Sequence, residues 1–275
     1  MITNALALME SWHPDDPEES PYYNPLRNVP SETEGIDETR QKARDIITQQ
    51  INPFYHELEN FLKQVYLTAS PELPGVKFQR GGEEYYDSRM AFYTTLPISA
   101  DSVHQLGLLE VKRIRGRMDS IINTLSFEGS FADFLEYLRT DEQFYAETPQ
   151  ELLNRAAWLS KRAEAGLPAL FGHLYSLPFT VEPVPDDIAP TYTGGRYVPG
   201  SWRQRRAGIY WVNTYKLDSR TLYTLPALTL HEAVPGHHLQ MMLSAELDIS
   251  DFRRRYYISA FGEGWGLYSE FLGEE

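Results

Sequence analysis

Apolar residues recur at helical spacing along most of this chain, and the interruptions mark its divisions. Residues 1–30 carry the first interruption: His13-Pro14-Asp15-Asp16-Pro17-Glu18-Glu19 is dense in proline and acid, which predicts irregular surface chain. Beyond it, Ser31 and Glu34 have the spacing of a capping box. Ala43, Ile46, Ile47, Phe54, Leu58, Phe61, Leu62 and Val65 then predict helix, with Pro53 as a break or kink and Pro71, Pro74 and Gly75 as its end. The next helix starts at Ser99 or Asp101, both competent caps. Val103, Leu106, Val111, Ile114, Met118, Ile121, Ile122 and Leu125 form its stripe, which this reading places in the core. A short helix follows Ser130 on Phe131, Phe134, Leu135 and Leu138. Thr148-Pro149-Gln150-Glu151 combines a capping box with proline at the first helical position, so a fourth helix runs from there to about Ala165.

The texture changes between Leu167 and Gly208, where Pro168, Pro178, Pro183, Pro185, Pro190 and Pro199, with Gly194, Gly195 and Gly200, predict loops. Phe179-Thr180-Val181-Glu182 can form a short extended piece. Gly208-Ile209-Tyr210-Trp211-Val212-Asn213, aromatic and β-branched, is the best strand. Helix resumes near Leu222 and carries Leu225, Leu228, Leu230 and His231. The expected fold is mainly α with a small β element. No repeat and no linker divides it, so one domain is expected over 1–275: irregular to 30, helical over 31–166, then loops, strand and the last helices over 167–275.

Composition narrows the function. The 25 basic residues against 39 acidic ones leave a net charge of −14, which disfavours nucleic acid and anionic membranes as partners. With no cysteine, disulfides and thiolate metal sites are excluded, and any metal must sit on nitrogen and oxygen. No apolar run reaches the roughly 20 residues that span a bilayer. The first residues lack the basic start and apolar core of a signal peptide, so a cytoplasmic location is the expectation. The sequence stops on an apolar helical stretch with almost no tail, which reads as a fragment of a longer protein.

The candidate chemistry lies in two short segments. His231-Glu232-Ala233-Val234-Pro235-Gly236-His237-His238 holds three of the seven histidines, and Phe261-Gly262-Glu263-Gly264-Trp265 follows about two dozen residues later. Two histidines and a distant glutamate as ligands, with a second glutamate beside the first histidine to work a water, is the inventory of a zinc peptidase. The spacing is unusual. Zinc histidines on a helix normally sit four apart, but that position after His231 is Pro235. On a straight helix of about 100° per residue, His237 points roughly 120° away from His231, and His238 lies about 10.5 Å along the axis. A regular helix therefore fails, and the sequence supplies the distortion in Pro235, which breaks the backbone ladder, and Gly236. Looping out those two residues leaves His-Glu-Ala-Val-His, the ordinary spacing, which favours His237 over His238 as second ligand. Glu263 is the expected third ligand, with Gly262 and Gly264 allowing close packing and Phe261, Trp265, Leu267 and Phe271 buried around it. Glu232 is the expected general base.

The decapeptides 231–240 and 261–270 resemble the two signatures of a largely bacterial family known as domain of unknown function 885. Leu106–Ile114 and Gly208–Thr214 are similar to further patterns of that family, so the resemblance covers most of the chain from about Tyr23. It implies a mainly α-helical zinc-peptidase architecture of the gluzincin type, with the metal helices closing one side of a deep cleft. It also implies chain beyond the second motif.

The expectation is a zinc metallopeptidase acting on peptides, with Zn held by His231, His237 and Glu263. The rival reading is a non-catalytic metal-binding or interaction fragment. Glu270 is expected to support the site without ligating. Arg203, Arg205 and Arg206 are candidates for a substrate carboxylate, and Tyr192, Tyr197 and Tyr210 for an oxyanion donor. His13, His56, His104 and His173 are isolated in sequence and read as ordinary core or surface residues.

Overall fold

A computed structural model describes residues 2–70 and 75–274. The chain folds as two compact units, Met1–Arg80 and Gly81–Glu275, a division that helical spacing does not mark.

The smaller unit contains α1 (Ile2–Glu10), α2 (Asn24–Arg27), α3 (Ile36–Ile46), α4 (Asn52–Phe61) and α5 (Leu67–Ala69). α1 corrects the expectation of an irregular start. Its Leu6 and Met9, three residues apart on one face, are buried, and the proline-rich stretch begins only after it. The Ser31–Glu34 capping box is unused. α3 starts instead behind Gly35, whose left-handed backbone (φ 73°) turns the chain into the helix. Pro53 does not break the element either. Wider π turns at Ile47–Ile51 and Leu62–Tyr66 join α3, α4 and α5 into one helical stretch, and the first lies just ahead of the proline that lacks an N–H. The expected stop at Pro71 and Pro74 lies outside the described residues.

The larger unit begins with α6 (Gly82–Thr94), which the sequence reading lacked. α7 (Ala100–Thr124) starts as expected, the Ser99 hydroxyl accepting from the Ser102 N–H. Its stripe is not core, however. Of the eight apolar positions only Ile122 is buried, while Val111 and Leu125 are 66% and 62% exposed. Spacing defines an apolar face, but burial needs a second element against it. α8 (Phe131–Thr140) has a Ser130–Asp133 capping box, and α9 (Pro149–Leu170) is capped by Thr148 and continues past Ala165 through Pro168. Three strands follow, β1 (Phe179–Pro183), β2 (Gly195–Val198) and β3 (Gly208–Val212), then α10 (Leu225–Glu232), α11 (His237–Glu246), α12 (Asp251–Arg255) and α13 (Ser259–Leu272). Among the described residues no helix is long and apolar enough to cross a membrane.

The sheet, ordered β1-β3-β2, positions the site. β1 runs parallel to β3 with Val181 opposite Tyr210, and β2 runs antiparallel with Tyr197 opposite Tyr210. Gly208, Tyr210 and Val212 face inward at the period of two that a strand imposes. They pack with Leu152 and Ala156 of α9, Leu225 of α10 and Ala233. At the end of β3 the fully buried Asn213 donates through Nδ2 to the carbonyls of Ala189, Tyr192 and Thr193, and its Oδ1 accepts from the Tyr215 N–H. One side chain thus fixes the loop that leads into β2. Replacing it strips the partners from buried groups, each worth about 1–3 kcal/mol. Asn213→Ala is expected to lower stability by about 2–3 kcal/mol in urea unfolding; a loss under about 0.5 kcal/mol would show that water or neighbours replace those bonds.

Candidate metal centre

The helix carrying His231 ends where the sequence says it must. α10 closes at Glu232, the chain departs from helical angles at Ala233 (φ −93°, ψ −104°) and Gly236 (φ −71°, ψ −132°), and α11 starts at His237. Gly236 is required there. A Cβ at this position would overlap the carbonyl oxygens of Leu230 and His231, so only glycine lets the chain fold back over the end of α10. The Val234-Pro235-Gly236 excursion tucks Val234 into a cluster with Leu167 and Leu239. The His238 N–H then bonds back to the Ala233 carbonyl at 3.0 Å. The rings of His231 and His237 consequently meet edge to face, their centroids 4.7 Å apart.

Glu263 of α13 closes the group. Its Oε2 lies 3.4 Å from His231 Nε2 and 3.6 Å from His237 Nε2, and one ligand atom from each residue falls within 4.8 Å of the others. A tetrahedral zinc with bonds of about 2.0–2.1 Å holds its ligand atoms about 3.4 Å apart, so the set fits such an ion. Glu270, two turns further along the same face of α13, accepts from His231 Nδ1 at 2.7 Å. That bond fixes the tautomer in which the Nε2 lone pair faces Glu263, the carboxylate–histidine support typical of metal sites. α13 can lie this close because of Gly266, not Gly264. A Cβ on residue 266 would meet the His231 ring at 2.5 Å, whereas one on residue 264 would meet nothing within 4 Å.

The expected aromatic burial around Glu263 is corrected. Phe261, Leu267 and Phe271 are exposed; only Trp265 is partly covered, donating from Nε1 to the Pro235 carbonyl at 2.8 Å and so clamping the excursion. Glu263 itself is 57% exposed along its side chain.

Glu232 faces the same cavity of about 420 Å³, together with His231, His237, Glu263, Arg196, Tyr197 and Tyr257. Its Oε2 accepts from the Tyr197 N–H of β2 at 2.8 Å, and Oε1 has no hydrogen bond among the described residues. Two residues that sequence reasoning missed also line this cavity. The Tyr257 hydroxyl donates to Glu263 Oε1 at 3.0 Å, and burial together with that carboxylate pushes it up to about 12. Arg196 is held more firmly protonated by a hydrogen bond to Tyr192, with Glu232 and Glu263 nearby. No periodicity distinguishes either residue; their positions follow from the edge of β2 and the entry to α13. Arg203, Arg205 and Arg206 lie on an exposed turn and do not line the cavity.

His238 faces away from the other three. It is fully buried, its Nδ1 2.8 Å from the Tyr197 hydroxyl and its ring packed on Tyr175 and Phe179. Burial lowers its pKa to about 4, so the ring is neutral at pH 7. Tyr197 and Tyr210 are likewise core residues, the latter against Thr229.

Over residues 1–275 the chain matches the family described as "Bacterial protein of unknown function (DUF885)". The chain belongs to the DUF885 family. No curated protein matches it. Among solved structures it is similar to one described as "the putative lipoprotein from Colwellia psychrerythraea", with 27% identity and a TM-score of 0.89. That likeness covers 100% of this chain and 48% of the Colwellia chain, so this DUF885 chain spans about half the length of its structural relative.

Two outcomes test the geometry. Gly266→Ala forces the His231 ring aside and is expected to weaken zinc retention at least about tenfold, on the scale of a lost supporting contact, while Gly264→Ala leaves it unchanged; equal effects in competition with a chelator would refute the close approach. His237→Ala is expected to lose zinc with little change in melting temperature. His238→Ala should keep zinc and melt several degrees lower, through a cavity costing about 2 kcal/mol or more. The reverse pattern would make His238 the ligand.

Proposed function

We propose that this chain carries the metal centre of a zinc-dependent peptidase of gluzincin type. The observation that carries the reading is the convergence of His231, His237 and Glu263, with Glu263 Oε2 3.4 and 3.6 Å from the two Nε2 atoms and Glu232 in the same cavity. The nitrogen and oxygen donor set suits zinc. When bound, zinc supplies a Lewis acid that acidifies water and polarises a carbonyl.

The protein's own groups supply the rest. Glu232, held at Oε2 by the Tyr197 N–H, presents Oε1 to take a proton from water and return it to the departing amine. Glu270 keeps His231 in the ligating tautomer. The Tyr257 hydroxyl, which donates to Glu263 Oε1, would turn its single proton to the oxygen on which charge develops, a role the sequence reading gave to other tyrosines. A peptide is the favoured substrate because β2 is an edge strand lining the cavity, a surface on which extended backbone can pair. An apolar groove of about 730 Å³ shares Pro199, Met241 and Tyr257 with that cavity and would take large apolar side chains.

A second reading, a metal-binding protein without turnover, is favoured by the exposed Glu263. Turnover by the intact protein separates the two. Glu232→Gln preserves shape but cannot accept a proton, so zinc content is expected to be unchanged while peptide hydrolysis drops about 10²–10⁴-fold. Normal hydrolysis by the variant would remove Glu232 from the mechanism. An intact protein that holds zinc but cleaves no peptide in a mixed library would leave the non-catalytic reading.

A further inference from the structure

We propose a second cation site in the smaller unit, formed by His13, His56 and Glu59, which takes a divalent transition metal and fastens the segment after α1 onto α4. The three residues are far apart in sequence and are brought together by the fold, with one ligand atom from each within 4.8 Å of the others. His56 and Glu59 lie three apart on α4 and therefore share a face. His13 comes from the loop after α1, its ring edge-on to His56 with centroids 4.8 Å apart and stacked on Tyr55.

Two of the three side chains are buried, and the polar bonding around them is incomplete among the described residues. His13 and Glu59 are each only 9% exposed. His13 Nε2 lies 3.0 Å from Glu59 Oε1, and Lys63 holds the other carboxylate oxygen at 3.1 Å. A ring that donates Nε2–H to Glu59 leaves Nδ1 as a bare lone pair, and this buried atom has no partner among the described residues. A second buried acceptor without a partner, Asn52 Oδ1, lies one turn before His56 on the same helix. The Asn52 amide is oriented by its Nδ2 bond to the Pro14 carbonyl, next to His13, so the orphaned atom is the oxygen. Buried acceptors left unfilled cost about 1–3 kcal/mol each. The exposed His56 gives access from solvent. Imidazole and carboxylate donors without thiolate suit zinc, nickel or cobalt rather than a hard oxygen-seeking ion or a soft one. Glu59 can serve through Oε1 while Lys63 keeps Oε2, so the lysine need not leave.

The site shares no residue with the His231 centre and is tested without reference to activity. Zinc is titrated calorimetrically into the full chain carrying His231→Ala and His237→Ala, which removes the other ligand set. One equivalent is expected to bind, with a rise in unfolding temperature. Adding His56→Ala, a change at an exposed side chain, is expected to weaken that binding at least about 100-fold, beyond the 10–100-fold typical of lost supporting contacts. His104→Ala, the matching control, should change nothing. In the unmutated chain, the imidazole nitrogen resonances of both His13 and His56 should shift on zinc addition. Absence of binding in the His231/His237 variant, binding indifferent to His56→Ala, or unmoved His13 resonances would each overturn the proposal.

Discussion

Everything at the candidate metal centre depends on four residues that are not helical, Ala233 to Gly236. On a straight helix His231 and His237 would diverge by about 120°, and the excursion through Val234, Pro235 and Gly236 removes that divergence. The fold secures the excursion from several sides. Val234 is fully buried against Leu167 of α9, Gly236 lies on the backbone of α10 where any Cβ would collide, and Trp265 of α13 bonds the Pro235 carbonyl. α13 therefore does two jobs with one surface. It brings Glu263 and Glu270 to the two nitrogens of His231, and it locks the break that makes His237 available.

Electrostatics give the same centre a second constraint. Glu232, Glu263 and Glu270 converge on two imidazoles, and Arg196 is the one cationic side chain in the cavity lining among the described residues. Like charges this close repel unless a positive charge stands between them, which is what a dication on His231, His237 and Glu263 would supply. The third histidine is used differently. His238, neutral through burial, ties α11 to β2 through Tyr197, and the backbone of that same tyrosine holds Glu232. Core packing and the proposed base are thus linked through a single residue of an edge strand.

Local grammar was legible and partnership was not. Ser99, Ser130 and Thr148 cap the helices they were expected to cap, because a cap is decided within four residues. β3 and the need for a break at Pro235-Gly236 were legible for the same reason. The stripe on α7 shows the opposite case: its spacing is helical, yet the face is exposed, since sequence does not say what lies across from it. Likewise Gly262 and Gly264 were both expected to allow close packing; Gly262 does so against Tyr257, but the glycine that meets His231 is Gly266, which depends on the rotation of one helix against another. Tyr257 and Arg196 enter the cavity through tertiary placement alone, and His13 and His56 meet only once the loop after α1 lies on α4.

The most direct test of the metal centre is anomalous diffraction at the zinc absorption edge from crystals of this chain grown with zinc. The account predicts a peak about 2.0–2.1 Å from His231 Nε2, His237 Nε2 and one oxygen of Glu263, with Glu270 still on His231 Nδ1. A peak bound instead by His238, or no peak among these side chains at saturating zinc, would contradict it.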